Sequence, residues 1–340
     1  MRSRAECTLS SLQCNNHKEM GEMGGSAGLS SPSPLTTKQR ERPILSLPGR
    51  RIAFTTPANY ATRLTRLLQL RGATPLPVPT ISVGPSSSTL SSLRSFLLLS
   101  SSQQRKKGAL ALDSFSALAF TSRTGISSFS LALSQTPLPS PPLSLSGEPF
   151  TVAALGTDAE ALHQGNPSLL TLLCPGNPSW VRVLVPEIAT PAGLVKSFGN
   201  GFGRKVLCPV PAVIGLNEPD VVPQFLADLE SSGWVAVRVP AYETKWVGPQ
   251  CADVLVELDG KLDAIVFTST AEVEGLLKGL DAVGWNWEKV KQQWPCMVVA
   301  AHGPVTAKGV ESFGLTVDVV GERFSSFDGV LDALSMQFQD

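Results

Sequence analysis

From Arg50 onward, short uninterrupted apolar runs alternate with stretches in which apolar residues recur every three or four positions. The runs predict strands over Arg51–Thr55, Thr74–Val78, Ala117–Phe120, Thr151–Leu155, Val181–Val185, Lys205–Cys208, Val235–Val239, Ala264–Phe267, Met297–Ala301 and Val317–Val320. The amphipathic stretches predict helices, among them Tyr60–Arg71, Val221–Ser232 and Val305–Phe313. Strands that alternate with helices read as βα units in parallel sheets. Strands covered on both faces are continuously apolar rather than alternating, as these are. The expected fold class is therefore α/β.

An internal repeat adds to this pattern. Phe-Thr-Ser closes a strand twice, in FTSRTG from Phe120 and in FTSTAE from Phe267; Gly156 and Gly303 follow their copies at the same spacing. Arg50–Pro79 likewise matches Arg204–Pro240: each runs strand, loop, helix, Gly, strand, Val-Pro. The chain thus holds two similar halves. Two arrangements are open on the residues alone. The halves could follow one another, divided near Asn200, or the chain could cross between them. In the second case Val78-Pro79 and Val239-Pro240 would mark the exits, because proline stops a sheet ladder.

Composition narrows the function classes. At 340 residues the chain is long enough for two domains. Lys plus Arg and Asp plus Glu are 28 each, so no global field draws in nucleic acid or anionic lipid, and an anion site would have to be local. The six cysteines are widely spaced, with no C-x-x-C pair, which argues against zinc and against a disulfide framework. No apolar run approaches the roughly 20 residues that span a bilayer, so no membrane association is expected. Residues 1–49 are rich in Ser and Gly without apolar periodicity and are expected to be a disordered leader or a plastid transit peptide. The Ser-rich composition favours the second reading; Glu6, Glu19, Glu22 and Glu41 favour the first. Two low-complexity stretches, Ser86–Lys107 and Gln135–Gly147, read as surface insertions, the first carrying a short helix over SLRSFLLL.

No strand is followed by G-x-G-x-x-G with an acidic residue, so a dinucleotide site is not expected. G-x-S-x-G is absent too and there are three histidines, which leaves a hydrolase triad little to work with. Two Rossmann-like halves around a cleft also describe a sugar-nucleotide transferase or a periplasmic-type binding protein.

The order FTTP, RGATPLPVP, FTSRTG, GTDAEAL, KVLCPVP, LADLESSGWVAVRVPAYET, FTSTAEV, AAHGPVTAKGV and SSFDGVLDAL resembles the uroporphyrinogen-III synthase family from about Arg50 to Leu334. The resemblance implies two flavodoxin-like domains, each with a parallel five-stranded sheet flanked by helices, joined by a two-strand linker that the chain crosses twice. One domain would be 50–79 plus 246–340 and the other 84–240, with linkers near 80–83 and 241–245. It also implies the activity: hydroxymethylbilane, a linear tetrapyrrole, is closed to uroporphyrinogen III with loss of water and inversion of the last ring. Neither metal nor organic cofactor is implied. Such an enzyme would belong to heme and chlorophyll synthesis, in the plastid stroma if the leader is a transit peptide and otherwise in the cytoplasm. It would act as a monomer, with the upstream hydroxymethylbilane-producing enzyme as a candidate partner. A paralogue that binds a tetrapyrrole or other polyanion without turnover is the alternative.

The site expectations follow from that resemblance and from helix-end chemistry. A substrate with eight carboxylates suits helix N-termini, which offer free N–H groups and partial positive charge. Thr121, Ser122, Arg123 and Thr124 on one half, and Thr268, Ser269 and Thr270 on the other, are expected to face each other across a cleft at the carboxyl ends of the strands. The plainer role for these hydroxyls is helix capping alone. Tyr242 matches the tyrosine thought to protonate the leaving hydroxyl, a task a neutral phenol suits; the plainer role is an interfacial packing residue. Gly303 is expected to permit a tight turn, and Thr306 to line the cleft. In the matching block GTDAEAL that threonine is missing, with Asp158 or Ala159 in its place, and an Asp there would repel a polycarboxylate unless paired. His302 is unusual beside Gly303 and reads as a structural residue. Arg63, Lys245 and Lys308 read as solvated, Glu243 as a linker surface charge, and Arg123 as the cation best placed for a substrate carboxylate.

Overall fold

The computed structural model describes residues 46–98, 111–138, 141–143, 148–323 and 326–339, so most of the leader expectation and parts of both low-complexity stretches lie outside the described residues. The last four residues assigned to the leader, 46–49, are ordered instead: Leu47 is 1% exposed in the core, and its amide donates to Arg71 O at 2.6 Å. The strands are β1 (Arg51–Phe54), β2 (Thr74–Pro77), β3 (Ile81–Gly84), β4 (Ala117–Phe120), β5 (Phe150–Ala154), β6 (Val181–Leu184), β7 (Lys205–Ile214), β8 (Val235–Trp246), β9 (Ala264–Phe267), β10 (Val298–Ala301) and β11 (Val319–Val320). The helices are α1 (Ala58–Leu70), α2 (Ser87–Leu98), α3 (Arg123–Ser134), α4 (Leu169–Leu173), α5 (Pro191–Phe198), α6 (Val221–Ser231), α7 (Asp253–Val256), α8 (Thr270–Ala282), α9 (Trp287–Gln293), α10 (Pro304–Ser312) and α11 (Asp328–Gln337).

The strands form two sheets. One is five-stranded in the order β11-β10-β9-β1-β2, and its strands pair in parallel. The other is six-stranded in the order β3-β8-β7-β4-β5-β6. Numbered within its own sheet, the first has the order 2-1-3-4-5, and so does the second once β3 is set aside and β7 is taken as its first strand. The first segment of the chain therefore shares a sheet with the last third, while the Arg204–Pro240 repeat of that segment shares one with β4–β6.

Both faces of each sheet are covered, as continuous apolar strands require. In β1, Ile52 and Phe54 pack with Leu64, Leu68, Leu331 and Leu334, whereas Ala53 packs on the opposite face with Leu276, Leu280 and Val290. β4 divides in the same way: Leu118 and Phe120 meet Ile126 and Phe129, and Ala117 and Ala119 meet Leu194 and Phe225. Each such Leu, Ile or Phe contributes roughly 1.5–3 kcal/mol by leaving water. Among the described residues no helix is long and apolar enough to cross a membrane.

Three further expectations are corrected. The second sheet has six strands, not five, and is mixed, because β3 pairs antiparallel with the far end of β8, from Ile81↔Trp246 to Gly84↔Glu243. The strand from Val235 does not stop at Val239-Pro240 but runs on to Trp246, beside a β7 that runs on to Ile214. A register shift absorbs the proline: Val210 lies opposite Pro240, yet Pro211 lies opposite Tyr242, leaving Ala241 as the extra residue of a bulge. Finally, Ser86–Leu98 is no surface insertion, because Leu93 and Leu97 of α2 are completely buried against Leu118, Phe120 and Ala241. The short helix expected over SLRSFLLL is present as part of α2, which starts at Ser87; what the serine-rich composition hid is its burial.

At the start of β9, Asp263 is 4% exposed and ties that strand to β1. Its carboxylate accepts from the Arg51 amide at 2.9 Å and pairs with Arg50 at 2.9 Å and Lys261 at 2.6 Å. Burial alone would raise its pKa, but the bonds from Lys261, Arg51 and Arg50 outweigh burial and hold the carboxyl below the ordinary aspartate value. A carboxyl depressed in the folded state stabilises above the unfolded value, near 3.9, and loses that contribution as pH falls through the folded one. Asp263→Asn is thus expected to cost about 1–3 kcal/mol at pH 7 and progressively less below about pH 4. Urea denaturation of both proteins at the two pH values checks this, and a deficit independent of pH would contradict it.

Candidate active site

A cavity of about 540 Å³ opens at the carboxyl ends of the strands, and residues from both sheets line it. In an open α/β sheet this is where ligands bind, at the point where strand order reverses. Six helices present their amino ends there. Pro57 and Tyr60 belong to the first turn of α1, Thr121 and Thr124 flank the start of α3, and Pro191 opens α5. Val221 opens α6, Ser269 and Thr270 open α8, and Val305 and Thr306 open α10. Among the described residues lining the cavity none is Lys or Arg, so an anion there would meet the partial positive charge of helix amino ends rather than a basic side chain.

The two Phe-Thr-Ser turns differ in detail. Ser122 is the N-cap of α3: its Oγ accepts from the Gly125 amide at 3.1 Å and donates to Tyr242 Oη at 3.0 Å. Ser269 holds the same position before α8 but makes no capping bond. There the turn is organised by Glu272, which is 1% exposed. Glu272 Oε2 accepts from the Thr268 amide at 2.9 Å and from Thr55 Oγ1 at 2.7 Å, and Oε1 accepts from Thr268 Oγ1 at 2.5 Å. Burial pushes this carboxyl above the ordinary glutamate range, with the bonds from Thr268 and Thr55 opposing it. Thr306 Oγ1 donates to Thr268 O at 3.2 Å, which links the start of α10 to the same turn.

Tyr242 follows the Ala241 bulge, lines the cavity and is 7% exposed. Burial pushes its phenol up; the bond from Ser122 opposes the shift, and Tyr60 and Asp158 reinforce it. The group stays a neutral phenol at physiological pH, with Ser122 bonding to its oxygen and leaving its own hydrogen for another acceptor. Across the cleft Tyr60 Oη and Thr124 Oγ1 lie 2.8 Å apart, joining a helix of each sheet.

Of the expected site residues, Thr121, Thr124, Tyr242, Thr268, Ser269, Thr270 and Thr306 line one cavity, whereas Ser122, Arg123 and Gly303 do not. Arg123 turns away to the Gly156–Leu162 turn, where it donates to Thr157 O at 3.1 Å and pairs with Asp158 at 3.6 Å and Glu160 at 3.8 Å. Asp158 is thus paired, and burial raises its pKa while Arg123 opposes the rise. The missing threonine changes the backbone as well: Gly156–Leu162 is a 3-10 turn, where the matching block forms helix α10. Gly156 has φ +43, a left-handed value, while Gly303 is extended at φ −166, so no special backbone freedom is used at Gly303. His302 lines the cavity and packs against Phe327, with ring centres 5.3 Å apart.

Sequence reasoning missed Glu272, Tyr60 and Phe327. For Glu272 the signal was present: Ser269-x-x-Glu272 ahead of an apolar run is a capping box, in which the N3 carboxylate reaches back to the turn. Tyr60 and Phe327 carried no local signal, because only the tertiary arrangement brings them to the cleft.

A family model described as uroporphyrinogen-III synthase HemD matches residues 62–330. A curated protein of Methanothermobacter thermautotrophicus, named "Putative uroporphyrinogen-III synthase", is 32% identical over 149 residues, which cover 43% of this chain and 55% of that relative. The chain thus matches about half the length of that relative. Among solved structures, a mutant uroporphyrinogen III synthase from the extremely thermophilic bacterium Thermus thermophilus aligns with TM-score 0.53 at 16% identity, over 86% of this chain and 99% of the other. That likeness is one of fold.

Proposed function

The chain belongs to the uroporphyrinogen-III synthase family, and from that premise we propose that its cleft closes hydroxymethylbilane to uroporphyrinogen III. One observation carries the reading: helix amino ends from both sheets surround a cavity into which a single buried phenol, Tyr242, projects. The chemistry asks little of the protein. The electron-rich pyrrole that carries the hydroxymethyl group must expel the hydroxyl as water, leaving an electrophilic azafulvene, and the chain must be folded so that the substituted carbon of the last ring attacks it. Helix N–H groups and the Thr121 hydroxyl hold carboxylates without adding buried charge. Holding both ends of a floppy substrate lowers the entropic part of the barrier by several kcal/mol, roughly. Tyr242 gives its proton to the departing hydroxyl while Ser122 supports the phenol oxygen.

The finer points of this reading are proposals of the same kind. The repeated 2-1-3-4-5 strand order supports two flavodoxin-like domains, 50–79 with 246–340 and 84–240, linked through 80–83 and 241–245. The Ser-rich residues 1–49 support import into the plastid stroma, in heme and chlorophyll synthesis. Action as a monomer, supplied by the enzyme that makes hydroxymethylbilane, completes the reading. A second reading, binding without turnover, is favoured by Arg123, whose charge is already taken by Asp158 and Glu160.

The test separates the two. Hydroxymethylbilane is generated in the presence of the purified protein, and the products are oxidised and resolved as porphyrin isomers. Isomer III is expected; isomer I alone, the product of spontaneous closure, would leave binding without turnover as the function.

A further inference from the structure

We propose that Glu272 is a positioning residue whose protonation state decides whether the Thr268 hydroxyl offers the cleft a hydrogen or a lone pair, so that anion binding there takes up a proton. The inference rests on the reading that the cleft receives a polycarboxylate. An ionised carboxylate only accepts hydrogen bonds. In that state Glu272 Oε1 takes the single hydrogen of Thr268 Oγ1 at 2.5 Å, and the threonine shows the cleft an oxygen lone pair. A substrate carboxylate at that spot meets like polarity.

Protonation at Oε1 reverses the direction. The carboxyl then donates to Thr268 Oγ1, and the hydroxyl hydrogen is free to turn to the ligand. The Thr268 amide and Thr55 Oγ1 both bond to the other oxygen, Oε2, and keep their direction, while the Ser269 side chain is a further donor toward the carboxyl. Thr56 Oγ1, 3.5 Å from Thr268 Oγ1, extends the same chain of hydroxyls. Burial, which favours the neutral acid, acts in the same direction.

Other titratable groups on the elements packed around α8 have other environments. Asp263 sits at the opposite end of β9, in its own ion pairs. Arg63 and Arg66 of α1, Asp253 of α7, Lys278 and Asp281 of α8, and Lys308 and Glu311 of α10 are exposed. Glu274 accepts from Asn217 at 3.0 Å and Cys251 donates to Gly275 O at 3.5 Å. His302, Tyr60 and Tyr242 share the cavity wall and are present in both wild type and variant in the comparison below.

The test is calorimetric titration of the full chain with uroporphyrin III, the stable oxidised octacarboxylate, in phosphate and in Tris, whose different ionisation heats reveal protons taken up. Wild type is expected to take up more protons than Glu272→Gln, by up to about one, and its affinity to fall with rising pH by up to about tenfold per unit more steeply. The glutamine amide can donate to Thr268 as the neutral acid does, so Glu272→Gln is expected to bind at least as tightly as wild type at high pH. A purely structural role predicts weaker binding at every pH. Equal proton uptake by the two proteins overturns the inference alone, and a wild type that binds no uroporphyrin overturns it together with the functional reading. Should Glu272→Gln fail to fold, Thr268→Ala, which keeps the carboxyl but removes the hydroxyl that reports on it, is expected to lose the same linked proton; unchanged uptake in that variant overturns the inference.

Discussion

Tyr242→Phe is expected to lower kcat for formation of the isomer III product by on the order of 10²- to 10⁴-fold, the usual worth of a positioned proton donor. The substitution removes one oxygen from a side chain that is 7% exposed and otherwise packs in the core beside Val239 and Ala241. Ser122 keeps its capping bond from the Gly125 amide, so the start of α3 retains its structure. The stability cost is limited to one hydrogen bond, about 1 kcal/mol. A large kinetic effect with a small change in melting temperature is therefore the signature of a donor, and KM should move little, because the phenol acts on the leaving group rather than on the carboxylates. The pH profile gives an independent check. Since burial pushes the phenol above its ordinary value near 10, its ionisation should not depress kcat anywhere between pH 6 and about 9. Steady-state rates of the two proteins across that range decide the matter, and an undiminished rate in Tyr242→Phe would remove Tyr242 from the mechanism.

Much of this architecture was legible in the residues, for a physical reason. Strands buried on both faces must be apolar throughout, and runs such as Ala264–Phe267 and Ala117–Phe120 therefore announced themselves to the residue. Continuity across Pro240 was not legible, because a proline on a strand predicts its end unless a bulge supplies the missing register, and the bulge exists only in the pairing with β7. β3 was not legible in its own residues, because Ile81–Gly84 is short and holds one Ser and one Gly; the expectation of a two-strand linker near 80–83 and 241–245 came from the family resemblance, and pairing with β8 makes it a strand. At the site, hydroxyls beside helix starts were foreseeable from local chemistry, and seven of the ten expected residues meet in one cavity. Arg123 shows the limit of that logic. Its position inside the turn suggested a substrate cation, but the carboxylates of Asp158 and Glu160 lie close enough to claim it, a fact set by the fold of Gly156–Leu162.

Gly309→Ala should be a damaging single-methyl change at the cleft. A Cβ at Gly309 would lie 2.0 Å from Thr270 Oγ1 and 2.8 Å from both Thr270 Cβ and Cγ2. These three atoms belong to one β-branched side chain, which cannot swing aside as a flexible one would. Either α10 retreats or the first turn of α8 is displaced. Overpacking of this kind costs about 1–3 kcal/mol. Here the strain falls on two helix amino ends that both line the cleft, so the Thr306 bond to Thr268 O is the first contact at risk. A shift near 1 Å at a positioning surface can cost on the order of 10²-fold in rate. Gly309→Ala is accordingly expected to lower both the unfolding free energy and kcat/KM, measured by urea denaturation and by the isomer III assay. The close approach itself is tested by a second substitution. Thr270→Ala removes the atom at 2.0 Å along with Cγ2, so the double variant should recover part of the stability lost in Gly309→Ala, a coupling characteristic of residues in contact. If the two losses simply add, the cause lies elsewhere than in the crossing of α8 and α10.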